Sequence, residues 1–149
     1  DPEATAEVFD EEGYFCTGDL GKLDDEGWLY ITGRLKNLII LSNGKNVYPE
    51  ELELKISKIR GVEEVVVYQG ESRSAADKEI IVAEIYPNYE TLNSEGVDDV
   101  QAYFDRRIRE MNKVMVSYKM VGQVKIRDEE FVKNTSKKIV RFKIDKSVD

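Results

Sequence analysis

Val62-Glu63-Glu64-Val65-Val66-Val67-Tyr68 and Glu79-Ile80-Ile81-Val82-Ala83-Glu84-Ile85-Tyr86 are two apolar, β-branched runs on either side of a polar stretch, residues 71–78. Their hydrophobicity is nearly continuous rather than alternating, as in central strands covered on both faces. The elements around them decide what does the covering. Upstream, Pro49 opens a helix that carries Leu52, Ile56 and Ile59 on one face, pairs Glu51 with Lys55 four residues on, and stops at Gly61. Downstream, Val97, Val100, Phe104, Ile108, Met111 and Met115 recur at steps of three and four, which gives a helix over about 97–115 with a core-facing stripe. Lys119–Arg127 alternates Val124 and Ile126 with Gln123, Lys125 and Arg127, the pattern of a half-buried strand. A basic helix is expected after Asn134. From residue 38 the order is β-β-α-β-β-α-β-α. The fold class is α+β, with a short β-hairpin and a three-stranded sheet flanked by helices.

Ahead of this unit, Asp1-Pro2 reads as a helix start, and the helix should end by Glu11-Glu12-Gly13. Gly21–Asp24 and Gly27–Thr32 flank the turn signal Asp25-Glu26-Gly27, which makes a β-hairpin. Leu38-Ile39-Ile40-Leu41 is a short buried strand, turned by Ser42-Asn43-Gly44-Lys45 into Asn46-Val47-Tyr48.

Composition narrows the function. The 149 residues suit one domain, or one domain and part of another, and 41% apolar residues suffice for an ordinary core. No apolar run approaches membrane-spanning length, and the acidic start is unlike a signal peptide. Histidine is absent, so any chemistry must use Lys, Arg, Asp, Glu or backbone. The single cysteine, Cys16, suits a reducing compartment, and a cytoplasmic location is expected. The net charge of −8 is uneven: residues 1–34 hold ten acids against two bases, whereas residues 35–149 balance. That break falls near residue 35. A balanced charge without interleaved strand aromatics argues against nucleic acid as a partner.

Several side chains are candidates for chemistry. Asp19 at a strand start can accept the two hydroxyls of a ribose, and Arg34 at the far end of the hairpin can reach the same sugar. An ordinary hairpin ion pair explains the same spacing. Gly44 suits a turn that needs positive φ, and equally a place where substrate approaches bare backbone. Lys138 stands among Lys133, Lys137, Lys143 and Lys146, and spacing does not single it out from a solvated basic tail. Glu50, Glu51 and Glu53 fit the first turn of a helix, where its dipole favours acids.

Three longer motifs carry a resemblance. Phe15-Cys16-Thr17-Gly18-Asp19, then Gly27-Trp28-Leu29-Tyr30-Ile31-Thr32-Gly33-Arg34-Leu35-Lys36, then Gly44–Glu53 in the form GKNVYPEELE, appear in the order and with the gaps seen in the acyl-adenylate-forming superfamily. Its members include acyl-CoA synthetases, the adenylation domains of peptide synthetases, and beetle luciferases. The Ser42-Asn43 step before Gly44 looks most like long-chain fatty acyl-CoA ligases. The resemblance implies that residues 1–35 are the end of a large N-terminal adenylation domain and residues 36–149 the C-terminal lid domain. It further implies that Asp19 and Arg34 hold the ribose, that Lys36 is the hinge, that the Gly44 loop lines the pantetheine tunnel, and that Lys138 is the catalytic lysine of adenylation. The tail departs from the family's Pro-Lys-Thr-x-x-Gly-Lys: Val132, Asn134 and Lys137 replace its Pro, Thr and Gly, which leaves Lys137 as a competitor of Lys138.

The implied parent is an ATP-dependent, AMP-forming acyl-CoA ligase for a fatty acid that uses ATP, Mg²⁺ and CoA. Its partners would be the N-terminal domain of the same enzyme, ATP or AMP, and CoA, with peripheral membrane association conceivable for the parent only. Two alternatives stay open. One is an adenylating enzyme that loads a carrier protein's phosphopantetheine, and the other is a non-catalytic nucleotide- or protein-binding module. The chain alone is expected to be inactive, because it holds no ATP loop of the Walker type and no acyl pocket.

Overall fold

A computed structural model describes residues 1–72 and 80–148. The loop expected over 71–78 lies mostly outside the described residues. The α+β class stands, with a four-stranded sheet at its centre.

Asp1 caps a short helix, α1 (Pro2–Ala6), accepting from the Glu3 and Ala4 amides. The helix ends well before Glu11, because an antiparallel bridge between Phe9 and Phe15 closes a small loop instead, with the two rings edge to face. β1 (Asp19–Leu23) and β2 (Leu29–Arg34) form the expected hairpin. Asp24 organises its turn: Oδ1 accepts from the amides of Glu26 and Trp28, and the Trp28 bond above all holds its carboxyl below the usual aspartate range. A 3₁₀ turn (Leu35–Asn37) leads to the two-residue pair β3 (Ile39–Ile40) and β4 (Asn46–Val47).

Helix α2 (Pro49–Ile56) starts at Pro49 as expected but stops short of Gly61, leaving Ile59 outside it. β5 (Val62–Ser72) and β6 (Ile80–Pro87) pair antiparallel. Helix α3 (Tyr89–Ser94) had no counterpart among the expected elements; the Asn88 side chain caps it by accepting from the Thr91 amide. Helix α4 (Val100–Asn112) is shorter at both ends than the apolar stripe suggested. Asp99 caps its start, and Asn112 closes its end by exchanging hydrogen bonds with the Val121 backbone at 2.8 and 3.0 Å. Such a cap contributes about 1 kcal/mol. β7 (Gln123–Ile126) is the core of the strand expected over 119–127 and runs parallel to β6.

The expected basic helix after Asn134 does not form. Asn134 Oδ1 accepts from the Ser136 and Lys138 amides, and Asn134 N–H bonds the Lys138 carbonyl, so the backbone folds into a tight turn closed by a Lys133–Ile139 bridge. Lys137 sits in that turn at φ +59°, which no α-helix accommodates. The chain continues through a 3₁₀ turn (Arg141–Lys143) to β8 (Ser147–Val148), which pairs parallel with the end of β5. The order is therefore β7-β6-β5-β8, one strand more than expected.

Each face of the sheet has its own core. One side packs Val67, Ile81, Ala83 and Ile85 against Leu52 and Ile56 of α2 and Phe104 and Ile108 of α4. On the other, Val66, Tyr68 and Val82 meet Phe131 and Val148 from the last stretch of chain. That stretch acts as a strap across the sheet. Glu84, 5% exposed, lies under it and bonds both Tyr68 Oη and Arg127 Nη1. No helix among the described residues is long and apolar enough to cross a membrane.

Candidate functional site

Because β1 and β2 are in antiparallel register, Asp19 and Arg34 are cross-strand partners. Arg34 Nε lies 2.9 Å from Asp19 Oδ1, and Arg34 Nη1 donates to the Thr17 carbonyl at 3.0 Å. Thr17 Oγ1 in turn accepts from the Asp19 amide. The ion-pair reading of this spacing is thus what the structure shows. It does not compete with ribose binding, because the side chains keep 53% and 31% exposure and a carboxylate has more lone pairs than one arginine nitrogen fills. The two residues line a broad concavity with Tyr30, Gly33, Tyr48 and Glu51.

The hairpin approaches α2 closely at one point. A Cβ on Gly33 would stand 2.7 Å from Glu50 Oε2, so a side chain there would push the Glu50 carboxylate aside. Glu50 Oε1 accepts from Asn37 Nδ2 at 2.6 Å, which ties the start of α2 to the 3₁₀ turn holding Lys36. Glu51, the next residue, bonds Lys119 Nζ at 2.7 Å and pairs with Lys55; the Lys119 bond holds its carboxyl below the ordinary glutamate range.

Gly44 is the apex of the β3–β4 turn at φ +75°, with its amide donating to the Leu41 carbonyl. A Cβ there would meet nothing within 4 Å, so the turn presents bare backbone to open space. Lys138 is exposed on the Asn134–Lys138 turn and lies outside the concavity lined by Asp19 and Arg34. The structure therefore brings together the Asp19–Arg34 pair and keeps the Gly44 and Lys138 turns apart from it. The left-handed backbone of Lys137 falls on the residue aligned with the family's glycine.

Glu53 carries no chemistry in the sequence reading, which treats it as one of three first-turn acids. It is instead a partly buried anchor. Arg141 Nη2 reaches both Glu53 oxygens at 2.7 Å, Glu53 Oε1 accepts from the Val67 amide at 2.7 Å, and Arg141 Nη1 donates to the Val67 carbonyl. Burial pushes the Glu53 carboxyl up, against the pull of Arg141 and the Val67 amide. Only its spacing from Leu52 and Ile56, which turns it partly toward the sheet, hints at this in the sequence. Elsewhere on the strap, Lys133 is held by Glu64 and Glu130, contacts that raise its ammonium above the usual lysine range. Among the described residues, no group of three or more His, Cys, Asp or Glu side chains is arranged to hold a metal ion.

No protein-family model matches the chain. Individual relatives do. Long-chain-fatty-acid–CoA ligase FadD13 of Mycobacterium tuberculosis is 58% identical over 66 residues, which make up 44% of this chain and 13% of that protein. ATP-bound MatB from Rhodopseudomonas palustris superposes over 95% of this chain and 25% of its own, with a TM-score of 0.72 and 30% identity. O-succinylbenzoate coenzyme A synthetase (MenE) from Bacillus subtilis, in complex with ATP and a magnesium ion, matches 96% of this chain and 26% of its own, at a TM-score of 0.72 and 26% identity. The chain thus spans between 13% and 26% of the length of these relatives.

Proposed function

We propose, from the premise that the homologues and structural neighbours of this chain are acyl-CoA ligases and other adenylate-forming enzymes matched through their C-terminal region, that it is the C-terminal part of an ATP-dependent, AMP-forming acyl-CoA ligase acting on a fatty acid. The observation that carries this reading is the 58% identity to a long-chain-fatty-acid–CoA ligase. Residues 1–35 are read as the end of the large domain and residues 36–149 as the lid. Exposure supports that division: Tyr14, Phe15, Leu23, Trp28, Leu29 and Ile31 are all more than half exposed, an apolar surface suited to packing against a larger body.

In the parent reaction a carboxylate displaces pyrophosphate at the α-phosphate of ATP, and a thiol then takes the acyl group from AMP. Asp19 accepts hydrogen bonds from the ribose hydroxyls while Arg34, fixed by Thr17 and Asp19, donates from the other side. Lys138, carried on an exposed turn with a long stem, delivers a compact positive charge to the phosphate as negative charge grows there. Lys36, in the 3₁₀ turn between β2 and β3, is the pivot. Turning about it withdraws the Lys138 turn and brings up the Gly44 turn, whose bare backbone leaves room for a pantetheine arm. Mg²⁺ would neutralise the ATP phosphates, held by their oxygens and water.

The test is to assay the full-length parent for AMP and pyrophosphate release across a panel of carboxylates with CoA. Fatty-acid-dependent AMP formation is expected. Release of ADP, or no dependence on any carboxylic acid, overturns the reading. This chain by itself should show no carboxylate-dependent ATP–pyrophosphate exchange.

A further inference from the structure

We infer that Glu53 and Arg141 are positioning residues for Lys138, and that together they join the Lys138 turn and the Gly44 turn into one rigid body. The inference rests on the reading of Lys138 given above. Arg141 follows the Lys138 turn by less than one helical turn of sequence, and its guanidinium is the strap's anchor on the α2 side of the sheet. One nitrogen spans both oxygens of Glu53, and the other reaches the Val67 carbonyl. Glu53 closes the figure by accepting from the Val67 amide. Three elements are cross-linked at one point: α2, the β5 edge and the strap.

The chemistry of this link favours precision over strength. Glu53 and Arg141 keep only 15% and 30% side-chain exposure. A partly buried ion pair gives up some hydration for its attraction and is often no more stabilising than a well-packed apolar pair. What it supplies is direction, because the planar guanidinium must aim one nitrogen at the carboxylate and the other at the Val67 carbonyl at the same time. The Lys133–Ile139 bridge closes the Lys138 turn, and before it the Lys133–Glu64 pair and Phe131 fix the strap. Arg141 is the charged anchor after the turn. Without it, the stretch from Val140 to Ile144 is held by the Val140–Val132 backbone bond and apolar packing alone, and the course of the chain leaving Lys138 loosens. The same carboxylate sits on α2, directly after the β3–β4 turn that carries Gly44. A lid that alternates two faces needs both turns to move together, and this pair holds them in a constant relation.

The decisive experiment uses the full-length ligase with Glu53→Gln and Arg141→Lys, each alone and each combined with Lys138→Ala. Glu53→Gln should lower the turnover of pyrophosphate exchange by about 10²-fold, the scale of a misplaced catalytic group, with little change in the KM for ATP. Thioester formation from supplied acyl-adenylate should stay close to wild type. Arg141→Lys, which keeps the charge and loses the fork, should fall between. In the Lys138→Ala background neither change should reduce exchange further, because the lysine they position is gone. Equal loss in both half-reactions, or full additivity with Lys138→Ala, overturns the proposal in favour of a purely structural staple. Hydrogen exchange of the same variants should show faster exchange confined to residues 134–144; unchanged exchange there overturns the clamp itself. If the wild-type parent shows no acid-dependent exchange at all, the proposed function fails while the hydrogen-exchange arm still decides the clamp.

Discussion

Asp19 and Arg34 face each other across the open end of the β1–β2 hairpin, and Arg34 Nε stands 2.9 Å from Asp19 Oδ1. An exposed pair of this kind contributes about 0–1 kcal/mol to stability, so its removal tests binding more than folding. Arg34→Ala in the parent should leave the thermal midpoint nearly unchanged and weaken AMP binding by about tenfold, the loss of a charge-assisted hydrogen bond. Calorimetric titration with AMP, alongside thermal unfolding, checks both. Unchanged AMP affinity would make the pair a hairpin staple and nothing else.

Lys137 and Lys138 are neighbours with opposite expected phenotypes. Lys138→Ala should lower adenylation by about 10²–10³-fold, as loss of a charge-stabilising group does, while sparing thioester formation from supplied acyl-adenylate. Lys137→Gly should leave both half-reactions intact and stabilise the turn by up to about 1 kcal/mol, because glycine adopts positive φ without strain. Half-reaction kinetics and thermal unfolding separate the two. A larger kinetic loss at Lys137 would move the catalytic assignment by one residue.

At the Gly44 turn, Trp and Asn separate bulk from backbone. Gly44→Trp places a large side chain in open space and adds about 1–2 kcal/mol of left-handed strain. It should spare adenylation and abolish thioester formation. Gly44→Asn, which tolerates this φ, should retain both reactions. Equal loss of both half-reactions in both variants would mean that the glycine serves the turn alone.

Acid should weaken the contact between α2 and Lys119. The Glu51 carboxyl is held below the ordinary glutamate range, first by the Lys119 bond. A depressed folded-state value means that its stabilisation is fully present above about pH 4.5, the unfolded value, and is lost as pH falls through the lower folded one. Solvent screening keeps this below about 1 kcal/mol. Lys119→Met should therefore lower stability near neutrality and flatten its fall on acidification. Denaturant titrations at pH 7 and pH 3 measure the difference. A pH dependence equal to that of wild type would remove Glu51 from the account.

The central strands were legible because burial on both faces leaves an apolar run that little else imitates: Val65–Tyr68 and Ile80–Ile85 are strand throughout. The hairpin and its Asp19–Arg34 pair were legible from turn chemistry. Helix α3 was not, since it is short and polar, and its signal is one Asn88 cap followed by a single buried residue, Leu92. The tail misled for a different reason. Its lysines and apolar residues have helical spacing, yet the Asn134 side chain captures the amides that a helix would use. Glu53 was hidden among Glu50 and Glu51, because all three have the same local warrant and only the tertiary partner Arg141 sets it apart.

The strap has a consequence for the order in which the molecule can be completed. Val66, Tyr68 and Val82 belong to a hairpin that is synthesised well before Phe131 and Val148, the residues that cover them. A nascent chain therefore holds a strand pair with one oily face bare to solvent until Phe131 and Val148 emerge. Those contacts span a long stretch of sequence, which slows their formation and lengthens the interval of exposure. The turn that presents Lys138 is assembled in the same step, so a chain cut short before Phe131 is a sheet prone to self-association.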